Sequence, residues 1–171
     1  MKFKKVKTRL LAERGFTMVE LLAVIAIIGI IMALVFPRLT TLEERHLRHD
    51  ARKMAGLIRY VSESASIKKR YYRATFDIEH ATMTVASSRE GTDYTEESER
   101  PLSMLRLRRG IEIEDMHLPR VGKVNEGAVA VHFSPYGVSE PFTLHMKGYG
   151  SSTTLSYNPY TSKVTIADGY Q

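Results

Sequence analysis

The sequence predicts an α+β protein: a long N-terminal helix packed on antiparallel β-sheets. Three observations carry this reading. An apolar run of helical length, Phe16 to Phe36, leads into a stretch whose apolar residues recur at spacings of three and four. After Tyr71 the apolar period falls to two. From there onward, short alternating segments are split by turn-forming clusters at regular intervals, which suits antiparallel sheets and not a parallel α/β fold.

The chain opens on a basic head. Residues 1–15 hold Lys2, Lys4, Lys5, Lys7, Arg9 and Arg14 against Glu13, so they carry +5 of the formal +6 of the 171-residue chain. The remainder is nearly neutral. A nucleic-acid partner needs clustered cations on the folded part, and the sequence pI of about 9.5 is therefore no sign of one. The tail from Gly150 to Gln171 has one cation, Lys163, and one anion, Asp168. With no cysteine in the chain, disulfides, thiolate nucleophiles and cysteine metal clusters are excluded. A domain of about 130 residues beyond the apolar run must be held by its core alone, and it is long enough to bury one.

A basic head before an apolar run is the outline of a secretory signal, but "MALVFPRL", residues 32–39, offers no small-x-small cleavage site. The run spans 21 residues, and a helix of that length covers about 30 Å, the thickness of a bilayer's hydrocarbon. It reads as a retained membrane helix. Six Lys/Arg precede it, whereas Pro37 to Asp50 just after it carry three, Arg38, Arg45 and Arg48, an imbalance that favours the N-terminus in the cytoplasm and the C-terminal domain outside. Glu20 is the one charge within the run. One reading is an interfacial carboxylate that snorkels to the headgroups. The other is a functional charge awaiting a cation, because an unpaired ion in an apolar setting costs several kcal/mol. The run contains no such cation, so it must come from another chain or from processing.

"Arg14-Gly15-Phe16-Thr17-Met18-Val19-Glu20" followed by an apolar helix resembles the class III signal of type IV prepilins and type II secretion pseudopilins. The resemblance implies that a prepilin peptidase/methyltransferase cuts between Gly15 and Phe16 and methylates the new Phe16 amine. In a bundle of such helices, Glu20 of one subunit then meets the Phe16 amine of its neighbour. The implied partners are other pseudopilins or pilins and an inner-membrane assembly platform. The implied location is the bacterial inner membrane, single-pass, with a periplasmic domain. Gly29 lies inside the run and Pro37 directly after it. Pro37 either marks the membrane exit or, as the resemblance implies, the Gly29–Pro37 segment loosens when the subunit leaves the bilayer.

Residues 37–70 read as an amphipathic continuation of the helix. Leu47, Ala51, Met54, Ile58, Val61 and Ala65 form the stripe, widened by Ala55 and Leu57, opposite Arg48, Arg52, Lys53, Arg59 and Glu63. Lys68-Lys69-Arg70 suits the C-terminal end of a helix. Residues 71–171 form the β domain. "YYRATFDI" and "ATMTVAS" read as a hairpin turning at Glu79-His80, and "LSMLRLRRGIEIEDM" as a strand or strand pair. "AVAVHFS", "FTLHM", "TTLSY" and "KVTIA" are four more strands, split by Pro135-Tyr136-Gly137, Lys147-Gly148-Tyr149-Gly150 and Asn158-Pro159-Tyr160. "VHFSPYGV" with "TTLSYNPYTSKVTIADG", and "SESASIKKR" at the helix end, resemble the H-class minor pseudopilins (GspH-like) and the FimT/FimU-type minor pilins. That family's fold is pilin-like, a long helix on antiparallel sheets.

Other chemistry is sparse. Residues 87–101 are a polar loop whose Glu90, Asp93, Glu96, Glu97 and Glu99 lack the ligand order of a calcium loop. His46 and His49 stand at i, i+3, a spacing able to hold a metal, but no third ligand is identifiable. His132 and His145 read as solvent-facing residues of adjacent strands. No nucleophile elbow, P-loop or dinucleotide fingerprint is present, so neither an enzyme nor a cofactor is expected. The resemblance implies a minor pseudopilin of a type II secretion system, a subunit of a periplasmic pseudopilus that helps export folded proteins. The alternative is a minor type IV pilin acting in pilus initiation, adhesion or DNA uptake.

Overall fold

A computed structural model describes residues 17–98, 102, 104–137 and 139–171. Residues 1–16, with Gly15 and Phe16, lie outside the described residues, as do the side chains of 35–44, Pro37 among them. The chain divides into two compact units, residues 1–39 and 40–171.

Helix α1 runs Met18–Lys68. In its second half the predicted stripe, Leu47, Ala51, Met54, Ile58, Val61 and Ala65, is buried to 1% exposure or less at every position. The five charged residues predicted opposite it are all exposed. Arg70 N–H donates to the Ala65 carbonyl at 3.3 Å, and Lys69 takes φ 53°. This is the closing hydrogen bond and left-handed residue of a Schellman motif, with Lys where glycine is favoured.

Ten strands follow: β1 Tyr71–Asp77, β2 Thr82–Ser88, β3 Thr95–Glu96, β4 Leu105–Arg106, β5 Ile111–Leu118, β6 Gly122–Val124, β7 Ala128–Phe133, β8 Phe142–Gly148, β9 Ser151–Asn158 and β10 Lys163–Asp168. They form two antiparallel sheets. One has the order β3-β2-β1-β7, with β4 also on β2, and the other β10-β9-β8-β5-β6. The β1–β2 hairpin pairs Tyr71 with Ser88 through Asp77 with Thr82. Its loop is pinned by Asp77, which accepts from the His80 N–H at 2.9 Å. The segment 102–116 is a strand pair, but its members separate: β4 joins the first sheet and β5 the second.

A single core cluster gathers the helix stripe, Tyr72, Ala74 and Phe76 of β1, Val131 and Phe133 of β7, and Leu144, Met146, Leu155 and Tyr157 of the second sheet. Phe76 meets Phe142 at 5.6 Å and Phe133 meets Tyr157 at 5.5 Å between ring centroids, so aromatic side chains join the two sheets. Each large apolar side chain buried here contributes roughly 1.5–3 kcal/mol by the usual area relation. At Gly148 a Cβ would stand 2.6 Å from the Gly110 carbonyl oxygen, so the approach of β8 to the start of β5 requires glycine there.

Candidate functional site

The N-terminal turn of α1 is built by its own residues. Glu20 N–H donates to Thr17 Oγ1 at 3.2 Å, and Leu21 N–H donates to the Thr17 carbonyl at 3.1 Å. Thr17 is thus the N-cap and Glu20 the third residue of the helix, the spacing of a capping box. Glu20 is exposed and lies in the first turn, where the helix dipole favours an anion. The capping pattern T-M-V-E was legible in the sequence but is hidden by the more conspicuous charge in an apolar run.

From Met18 to Leu34 every large apolar side chain is bare, from 41% exposed at Val24 to 83% at Met18. Gly29 lies in this stretch with open space around its Cα. A helix apolar on all sides is stable only against lipid or other chains. No helix among the described residues is long and apolar enough to cross a membrane. The apolar side chains are described as far as Leu34, whereas the run in the sequence continues to Phe36.

In the 40–171 unit the two histidines of α1 face an arginine. Arg108 donates to His46 Nδ1, and its second guanidinium nitrogen lies 3.5 Å from His49 Nδ1. An arginine only donates, so the His46 Nδ1 lone pair is committed to it. Next to His49, Asp50 is buried at 3% exposure; it accepts the Arg108 backbone N–H at 3.0 Å and faces the Arg108 side chain at 3.5 Å. A buried carboxylate and one arginine therefore fasten the helix to the start of β5. Asp50 carried no signal of its own, since its partner lies 58 residues away.

His145 corrects the sequence-based reading. It does not face solvent, and it does not share a sheet with His132: His132 sits on β7 of the first sheet and His145 on β8 of the second. His145 is 4% exposed, with Nδ1 2.6 Å from Asp115 Oδ1 and Nε2 2.8 Å from the Gln171 main-chain oxygen. The Tyr170 ring stacks on it at 3.8 Å. Tyr170 Oη donates to Asp115 Oδ2 at 3.0 Å, and Lys123 Nζ lies 3.2 Å from the same oxygen. Burial pushes the Asp115 carboxyl up, but hydrogen bonds from His145, Lys123 and Tyr170 outweigh it and hold the group below the usual carboxylate range. The register shift between Ile113 and Asp115 turns Asp115 opposite His145. His132 is exposed, on the edge of the Tyr94 ring at 5.9 Å, and is pushed below the ordinary histidine value by desolvation and by Arg73.

The described part of the predicted 87–101 loop, residues 87–98, begins within β2 and is anchored. β3 pairs with Ala86 and Ser87, and the Arg73 guanidinium lies 4.6 Å from the centre of the Tyr94 ring. Glu90, Asp93 and Glu96 remain exposed, and Glu99 lies outside the described residues. Among the described residues no three metal-ligating side chains converge.

The model of the prokaryotic N-terminal methylation motif matches residues 10–36. No curated protein matches the chain in sequence. Two solved structures of the minor pseudopilin EpsH from the type II secretion system of Vibrio cholerae are similar in fold. One has 12% identity and a TM-score of 0.57, covering 72% of this chain and 97% of that one. The other has 14% identity and a TM-score of 0.61, covering 74% and 97%. The type IV minor pilin FimU of Pseudomonas aeruginosa aligns at 11% identity and a TM-score of 0.48, over 72% of this chain and 90% of its own.

Proposed function

We propose that this type IV pilin-like chain, which joins the prepilin methylation motif to the fold of a minor pseudopilin, serves as a minor pseudopilin of a type II secretion system. In this reading it is a structural subunit and not an enzyme. The lean towards a secretion system is supported by the likeness in fold to the minor pseudopilin EpsH, and the pilin-like part of the reading by the bare apolar helix, Met18–Leu34, directly within the methylation motif. Such a surface needs lipid before assembly and the helices of neighbouring subunits after it. Membrane insertion then holds the chain in the inner membrane with residues 40–171 in the periplasm. Cleavage between Gly15 and Phe16 releases a near-neutral chain and creates an ammonium four residues before Glu20. In a bundle of staggered helices, Glu20 pairs with the Phe16 amine of a neighbour and sets the axial register. An assembly platform extracts the subunit, and the β domain supplies lateral contacts.

The test is the N-terminus of the membrane-extracted protein by intact mass. The expected product begins at Phe16 with one added methyl group, and Gly15→Leu leaves the leader uncut. Normal processing of Gly15→Leu would remove the prepilin peptidase from the account. In the host, deletion of the chain is expected to abolish export of folded proteins; loss of pilus formation with export intact would favour the minor type IV pilin.

A further inference from the structure

Residues 169–171 cross the second sheet on the face turned away from the core, and they touch β9, β8, β5 and β6 on the way. The chain leaves β10 at Gly169, whose φ of 83° suits glycine. Gly169 N–H donates to the Ser152 carbonyl at 2.8 Å, and its own carbonyl accepts from Thr154 Oγ1 at 2.7 Å. Gln171 N–H donates back to Thr154 Oγ1 at 3.1 Å. Tyr170 stacks on His145 of β8 and donates to Asp115 of β5, while Lys123 Nζ of β6 donates to Tyr170 Oη at 2.9 Å. Leu144 and Met146, on either side of His145, enter the core, so His145 points the other way and owes its burial to this strap.

The contacts fix a charge on His145. Its Nδ1 faces a carboxylate and its Nε2 a main-chain oxygen, and both of these only accept. A neutral imidazole has one N–H, so either tautomer would set a lone pair against an oxygen, at 2.6 Å on one side or 2.8 Å on the other. A protonated Asp115 would supply a donor, but its hydrogen bonds keep that carboxyl ionised at neutral pH. The imidazolium satisfies both partners, and the Tyr170 ring stacked on it favours a cation. We propose that residues 169–171 form a proton-gated strap, closed while His145 is the imidazolium and released when His145 gives up its Nε2 proton. The Nδ1 proton stays with Asp115, the shorter contact and the one to a charged acceptor. The other groups around His145 do not replace it. Lys123 shares Asp115 at 3.2 Å, but its side chain is 57% exposed and its charge is screened. On the same face, His117 stands two residues beyond Asp115, opposite Lys123, and Lys147, two beyond His145, is held by Glu112 at 3.8 Å. β9 brings the uncharged Thr154, and Asp168 at the end of β10 is bound to Arg48 of α1. The closed strap therefore holds one proton more than the open one, so rising pH opens it. At the acid end, protonation of Asp115 removes the partner of His145 and opens it again, well below neutral pH. Opening bares His145, Asp115 and Thr154 in the middle of the sheet.

The test is nuclear magnetic resonance of the full-length chain in detergent, with nitrogen-15 in its histidine rings and amides. The His145 signals are assigned by their loss in His145→Gln. At about pH 7.5 a free histidine, which titrates near about 6.5, is mostly neutral. There both His145 ring nitrogens are expected to carry protons, and the Gly169 and Gln171 amides to be protected from hydrogen exchange. As the pH is raised through the titration of His145, that protection, corrected for the intrinsic exchange rate, should fall by up to about ten-fold per pH unit, the slope for one proton. His145→Gln cannot donate to both acceptors, so its Gly169 and Gln171 amides should exchange freely at every pH while those of β8 and β9 stay protected. A singly protonated His145 beneath a protected strap would overturn the proposal. So would protection that does not change while His145 titrates, or a strap as well protected in His145→Gln as in the unaltered chain.

Discussion

The observed contact of Glu20 and its proposed role pull apart experimentally. Its backbone N–H closes the Thr17 cap, which any residue can do, and its carboxylate supplies the charge that the proposed register needs. Glu20→Gln keeps the cap and the side-chain shape and removes only the charge. Membrane insertion and helix content should be unchanged while incorporation into filaments falls sharply, read by co-purification with filament subunits. Full incorporation of Glu20→Gln would reduce Glu20 to a capping residue. Asp115 gives a pH prediction at the same scale. Its folded pKa lies below the unfolded value of about 3.9, so the unfolded chain binds the proton more readily. The stabilisation is complete above that value and is lost as pH falls through the folded one. The thermal midpoint should therefore drop below about pH 4, and the drop should be shallower in Asp115→Asn.

Elements were legible where their signal is local. The stripe of α1 obeys its period because each of its six apolar positions enters the core, and the hairpin β1–β2 announced itself through alternation on both sides of a polar turn. β3 and β6 were not read, and β4 only as one half of a strand or strand pair: two or three residues cannot display a period, and these strands exist because a neighbour offers them an edge. Asp115 with His145 and Asp50 with Arg108 were invisible for another reason. Each pair is assembled across 30 or more residues by strand register and packing, and a carboxylate or histidine reads the same whether it ends in solvent or under a tail. The helix end gives a prediction of its own. Lys69 holds φ 53° at the position where a Cβ is strained, so Lys69→Gly should stabilise the protein by about 1 kcal/mol, seen as a higher unfolding midpoint. A lower midpoint would mean that the Lys69 side chain contributes more than its backbone costs.

At the scale of the whole molecule, two units with opposite surface chemistry share one helix. Residues 40–171 bury a closed core, whereas the described part of residues 1–39 buries none of its large apolar side chains. A plain anchor and a filament-core helix both satisfy that description, since lipid and neighbouring helices are equally apolar environments. They differ in what an exchange does. If the helix only tethers the domain, residues 16–36 can be replaced by an unrelated single-pass helix of equal length without loss of function. If it is the assembly surface, the replacement inserts, the domain folds, and export or filament formation is lost, because the contacts between helices depend on this run's side chains and on Glu20. We expect the second outcome, measured as retained membrane fractionation and protease resistance of the 40–171 unit together with loss of export in a deletion host. Retained export by such a chimera would return the apolar run to the role of an anchor and move the burden of assembly to the β domain.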